Sequence, residues 1–235
     1  MPRHVPLDSI EHRTLGVETA RGASLGDGVM LAQTFPGEFR DIQAHYPIVF
    51  HQDAQDRIQP LALFGLERGY NVFLVDGRWD AAYIPLAMER QPFLIGHSEA
   101  GPTIHVDLDS PRLRTDGGQP LFLEHGGLSP LLARVQTVLQ ALHDGLATVP
   151  GFVAALAAHQ LLEPLALEVR LDSGRTLRLD GLLTIAEDRV RSLAPDTAGQ
   201  LHAAGHLEAI HMAMASMSRL RDLIDRTNRT DGLVR

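Results

Sequence analysis

The chain contains no cysteine and no lysine. Without cysteine it can form no disulfide, thiolate nucleophile, iron–sulfur cluster or cysteine-bound zinc site. Its 21 basic residues are all arginine, which excludes a Schiff base, a pyridoxal-phosphate lysine and the phosphate-loop lysine. Long apolar runs are missing too: none approaches the roughly 18 residues of a membrane helix. The N-terminal residues Pro2, Arg3, His4, Pro6 and Asp8 lack the apolar stretch of a signal peptide. The formal charge of -8 is spread along the chain without a basic stripe, so nucleic acid is not an expected partner. These absences lead to the expectation of a soluble cytoplasmic protein with no membrane span.

With 235 residues, 44% of them hydrophobic, the chain can bury a substantial core. Residues 1–28 are polar and end in Gly22, Gly26 and Gly28, which reads as an irregular arm. Residues 29–235 read as one domain, β-rich over 29–125 and helix-rich over 126–235. In the first part, short apolar runs broken by turn residues predict strands at Val29–Ala32, Pro47–His51, Leu61–Leu66, Val72–Val75, Phe93–Ile95 and Thr103–Leu108, with a short helix at Gly37–Ala44. In the second, Ser129-Pro130 is an N-cap followed by proline at the first helical position, and Leu131, Val135, Val138 and Leu142 recur at helical spacing up to Gly145. Further helices are expected at Pro150–Leu162, Glu187–Leu193, Asp196–Ala204 and Leu207 to about Arg226. A hairpin at Leu165–Leu171 and Thr176–Ile185 turns at Asp172-Ser173-Gly174. The expected fold class is α+β: a mostly antiparallel twisted sheet in the N-terminal half, and helices plus one hairpin in the C-terminal half.

Aromatic residues are few but concentrated: ten of the twelve lie between Phe35 and Phe93. They are punctuated as Glu38-Phe39, Tyr46-Pro47-Ile48-Val49-Phe50, Gly69-Tyr70-Asn71-Val72-Phe73, Asp76-Gly77-Arg78-Trp79, Tyr83-Ile84-Pro85 and Arg90-Gln91-Pro92-Phe93. This pattern resembles the SapC-like family of bacterial proteins. Asp107-Leu108-Asp109-Ser110, Gly118-Gln119-Pro120-Leu121-Phe122 and Gly205-His206-Leu207 resemble its later landmarks. Glu89 and Gln91, which flank Arg90, depart from the family's usual residues. The resemblance implies an accessory role in the uptake or modification of a small molecule or peptide, and implies no cofactor and no catalytic residue.

The ring and guanidinium groups nearest those motifs, Arg78, Trp79, Tyr83 and Arg90, are the expected ligand-binding residues: aromatic faces supply apolar contact and arginine forks fix an anionic end. Three other constellations are weaker. Gly96-His97-Ser98-Glu99-Ala100-Gly101 looks like the nucleophile elbow of a hydrolase, but the alternating residues after Pro102 predict a strand where the elbow needs a helix. His105 and Asp107 share one face of a predicted strand and, with His143 or His159, would make a facial triad for non-haem iron. His202, His206 and His211 have helical spacing for a metal, which Gly205 interrupts. Finally, Ile210, Met214, Met217, Leu220 and Ile224 form a stripe suited to a core face or to self-association as a homo-oligomer.

Overall fold

The computed structural model describes residues 3–98 and 101–231. In chain order the strands are β1 (His4–Pro6), β2 (Gly16–Val17), β3 (Leu31–Gln33), β4 (Ile48–Gln52), β5 (Ile58–Leu63), β6 (Leu74–Val75), β7 (Arg78–Trp79), β8 (Phe93–Ser98), β9 (Gly101–Asp107), β10 (Leu113–Arg114), β11 (Gln119–Pro120), β12 (Leu162–Arg170) and β13 (Thr176–Ile185). The helices are α1 (Phe39–Ile42), α2 (Leu86–Glu89), α3 (Pro130–Ala158), α4 (Glu187–Arg191), α5 (Pro195–Ala203), α6 (His206–Ser216) and α7 (Arg219–Asp231). Every described strand pairing is antiparallel, so the fold is α+β as the sequence predicts.

The residues sort into two compact units, each assembled from three separate stretches: Met1–Gly28, Leu74–Trp79 and Leu86–Asp144 in the first; Val29–Phe73, Asp80–Pro85 and Gly145–Arg235 in the second. This division does not follow the change from β-rich to helix-rich sequence near residue 126. Within residues 1–28, β1 pairs with β9 and β2 pairs with both β10 and β11.

The first unit holds the sheets β1-β9-β8 and β10-β2-β11 and the ribbon β6-β7. The ribbon turns through Asp76 and Gly77, both at positive φ, which matches the right-handed twist of a two-residue hairpin. Alternation along β9 sends Ile104 and Val106 to the core. There Val17, Phe93, Val106 and Leu121 meet Leu132, Val135 and Leu139 from the first half of α3. Ser129 caps that helix as expected, its hydroxyl accepting from the Leu132 N–H at 3.1 Å.

The second unit is built on a five-stranded sheet in the order β12-β13-β4-β5-β3. The hairpin expected in the C-terminal half is present as β12 and β13, and it extends the sheet of the N-terminal strands. The C-terminal hairpin joins the N-terminal strands through Leu182↔His51 and Leu183↔Phe50, a pairing that no local pattern announces. Tyr46, Phe64 and Phe73 cluster edge to face, with ring centres 4.7–6.4 Å apart. Phe39 and Phe50 pack against Phe152. Much of the aromatic-rich segment is thus core.

Two helix boundaries also differ from expectation. α3 runs unbroken through Gly145 and Pro150. Gly145 is a packing residue there, since a Cβ on it would lie 2.2 Å from the Phe35 ring. By length and a mean hydropathy of 1.3, α3 is the one helix among the described residues that meets the requirements for crossing a membrane, although the sequence has no uninterrupted apolar run of that length. It buries Leu132, Val135, Val138, Leu139 and Leu142 on one stripe and exposes Arg134, Gln136 and Gln140. The long C-terminal helix is instead two, α6 and α7, separated at Met217-Ser218.

Candidate functional site

The four residues expected to bind a ligand do not fall in one unit. Arg78, Trp79 and Arg90 belong to the first, and Tyr83 to the second. Arg78 is exposed on β7, and its neighbour Trp79 is 8% exposed. Tyr83 donates to Glu38 at 2.9 Å, and its carbonyl accepts from the Tyr46 hydroxyl. Glu38 is itself buried and accepts from the Thr34 hydroxyl at 2.6 Å. Arg90 is turned onto its own main chain: Nη1 donates to the Phe93 carbonyl at 2.6 Å, across the cis Gln91–Pro92 bond. Burial lowers its pKa from the ordinary arginine value. Both Tyr83 and Arg90 therefore have structural partners.

Guanidinium chemistry does converge in the first unit, on residues the sequence reading passed over. Arg112 immediately precedes β10, whose partner β2 is held close by Gly16; a Cβ at that position would lie 2.2 Å from the Gly117 carbonyl oxygen. The Glu18 N–H donates back to the Arg112 carbonyl at 2.8 Å, so Glu18–Ala20 runs beside the arginine. Arg112 Nη1 donates to the carbonyls of Glu18 and Ala20 at 3.2 and 2.9 Å, and Nη2 donates to Asp27 Oδ2 at 2.6 Å. Arg112 is 2% exposed and Asp27 fully buried. Arg21 completes the cluster, reaching Asp27 Oδ1 at 3.3 Å and the Met88 carbonyl at 3.2 Å.

This group borders a partly open cavity of about 120 Å3. Val17, Phe93, Leu131, Val135 and Val138 form its apolar wall, and Arg21 and Arg112 its cationic end. Glu89 and Arg134 also line it and are paired to each other at 2.8 Å. Two features distinguish the cationic end. The Arg112 Nε–H is enclosed and has no acceptor among the described residues. Arg21 has its pKa lowered, first by desolvation and then by the Arg112 charge, with Asp27 and Glu89 acting in the opposite direction. The arrangement can receive a small group that accepts hydrogen bonds at one end and is apolar at the other. Nothing local in the sequence marks Arg112 as buried; the Arg90-Gln91-Pro92-Phe93 motif signals the place only because Gln91 and Phe93 line the same cavity.

The remaining constellations do not assemble. Ser98 ends β8 and pairs with Gly101 at the start of β9, so the main chain continues into a strand, not a helix. The Ser98 side chain, Glu99 and Ala100 lie outside the described residues. The His105 ring covers Gly96, where a Cβ would come within 2.2 Å of it, and its Nε2 is enclosed without a partner among the described residues. Among the described residues no group of three or more His, Asp or Glu side chains is arranged to hold a metal ion. His202 lies on α5, while Gly205, at φ 74°, separates it from His206 on α6. The His206 ring packs on Phe152 with centres 5.6 Å apart, and His211 Nδ1 contacts the Leu207 carbonyl at 2.7 Å.

Comparison with known proteins gives one finding: the SapC family model matches residues 7–223. No curated protein and no solved structure matches the chain.

Proposed function

Because the chain belongs to the SapC family across residues 7–223, we propose that it works by recognising a small organic acid in the partly open cavity of the first unit. The reading rests on the Arg112 Nε–H, a buried donor without an acceptor among the described residues, on an arginine that lines that cavity. A buried donor that is not satisfied costs about 1–3 kcal/mol, and a bound carboxylate oxygen removes that cost with a charge-assisted bond. The cavity of 120 Å3 has the volume of about four waters at ~30 Å3 each, which suits a carboxylate on a short aliphatic chain. The chain would lie against Phe93, Leu131 and Val135. A recognition step of this kind fits the accessory part in uptake or modification that the family resemblance implies.

Titration calorimetry and thermal melts with acetate, propionate and butyrate test this, with sodium chloride at equal ionic strength as control. Arg21→Gln is the informative variant, since it leaves the Arg112–Asp27 pair intact. Propionate or butyrate should release heat and raise the melting temperature of the native chain, and the variant, which removes one of the two cations beside the bound carboxylate, should bind about tenfold more weakly. If none of the three acids binds, or if Arg21→Gln binds them as well as the native chain, the cavity is not an acid site.

A further inference from the structure

The second unit carries a different polar cleft, of about 430 Å3, that shares no residue with the cavity above. Its long wall is one stripe of α7: Arg219, Asp222, Arg226 and Arg229 follow at spacings of three, four and three residues. Its other wall holds His45, Phe73 and Asp80. Arg226 donates to Asp80 at 2.5 Å, and its guanidinium carbon lies 4.6 Å from the centre of the Phe73 ring. Arg219 Nη1 donates to Asp222 at 2.8 Å. Asp80 and Asp222 are thus each engaged by an arginine. Besides the Asp225 carboxylate and the Arg229 guanidinium, two hydrogen-bonding groups remain: the Arg219 Nε–H, which is enclosed and has no acceptor among the described residues, and the His45 imidazole, whose ring nitrogens make no hydrogen bond to a described residue.

We propose that this cleft binds an oxyanion, a carboxylate or a sulfate- or phosphate-type group, which accepts from Arg219 Nε and from His45, and that His45 takes up a proton from solvent as the ligand binds. Before binding, the imidazole stands in a cleft lined by three arginines and three aspartates, two of the aspartates engaged by arginines. The charges acting on it are Arg219 and Arg226 from α7 and Asp41 from α1; Asp80, Asp222, Asp225 and Arg229 complete the charged lining of the cleft. Partial desolvation and the two arginines outweigh Asp41 and hold the His45 pKa below its usual 6.5, so the ring is neutral at pH 7. An anion between Arg219 and His45 reverses that balance: it gives the orphaned Nε–H its acceptor, offsets the arginine charge and favours the imidazolium as a second donor. The cleft is thereby tuned to bind an anion more tightly as pH falls.

Sulfate and acetate are suitable probes, because both stay ionised between about pH 8 and pH 6, the range in which an unperturbed histidine titrates. Calorimetric titration of the full chain at fixed ionic strength should show affinity rising with acidity, by at most about tenfold per pH unit for a single linked proton. His45→Gln should keep weak binding but lose the pH dependence, and Arg219→Gln should weaken binding about tenfold or more at every pH. The His45 ring resonance should titrate at higher pH when the probe is present. Tighter binding of sulfate than acetate assigns a tetrahedral oxyanion, and the reverse order a carboxylate. The proposal is overturned if neither probe binds at the acid end, if His45→Gln keeps the full pH dependence, or if the His45 titration does not move.

Discussion

Arg112 Nη2 and Asp27 Oδ2 lie 2.6 Å apart with both side chains sealed from solvent. A buried pair repays its desolvation only when its remaining donors and acceptors are also met. Here two main-chain carbonyls take up Nη1, and the Gly22 N–H donates to Asp27 at 2.9 Å. The pair therefore gathers residues 18–27 around one guanidinium, on an arginine that also lines the cavity of the first unit.

Removing the arginine leaves Asp27 buried with its strongest partner gone. Arg112→Met should lower the unfolding free energy by about 3–5 kcal/mol, measured by urea denaturation. Arg112→Lys should recover only part of the loss, because an ammonium cannot fork onto three separated acceptors as a guanidinium does. A loss below about 1 kcal/mol for Arg112→Met would show that the cluster is not a structural staple.

Two glycines of α3 should respond in opposite directions to alanine. Nothing lies within 4 Å of a Cβ at Gly151, so Gly151→Ala should gain about 0.5–1 kcal/mol from helix propensity. At Gly145 the same change drives a methyl into the Phe35 ring, 2.2 Å away, and overpacking of this kind costs about 1–3 kcal/mol. Thermal melts of the two variants should therefore move apart, one above and one below the native value.

Ser216 joins α6 to the sheet. Its hydroxyl accepts from the Ile48 N–H at 2.8 Å and donates to the Ala213 carbonyl at 2.6 Å, fully buried. Ser216→Ala leaves the first N–H of β4 unsatisfied and should cost about 1–3 kcal/mol. Amide exchange at Ile48 should speed up more than at Val49, and equal protection at both would argue against the bond.

The sequence was most legible where a structural rule acts locally. Ser129-Pro130 marks the start of α3, Asp172-Ser173-Gly174 marks the hairpin turn, and Gly205 separates α5 from α6, each through the conformational preference of one or two residues. Phe39 and Ile42, apolar within the short helical segment Gly37–Ala44, are both fully buried. What stayed hidden is long-range. The β13–β4 pairing joins residues more than a hundred positions apart, and no periodicity encodes a partner. The two-residue strands β2, β10 and β11 are too short to show alternation, so residues 1–28 looked irregular although β2 is paired on both sides. Gly145 and Pro150 read as breaks because propensity favours a break there; packing against Phe35 overrides the first.

The candidate site was legible in kind and not in place. A reading based on ring and guanidinium residues pointed to arginines beside aromatic groups, and Arg21, Arg112 and Phe93 have that chemistry. The motif around Arg90 points to that residue, yet its guanidinium donates to the Phe93 carbonyl. Arg112 looks like any surface arginine until the fold wraps Glu18–Ala20 and Asp27 around it. The orphaned Nε–H groups of Arg112 and Arg219 have no sequence signature at all, because an absent partner is a property of three-dimensional packing.

The chain passes between its two units at residues 28/29, 73/74, 79/80, 85/86 and 144/145. No single scission can release either unit whole, and any continuous fragment long enough to hold all of one unit carries pieces of the other. Proteolytic dissection or simple truncation will therefore yield incomplete cores. The functions argued for each cleft have to be separated by point substitution in the intact polypeptide.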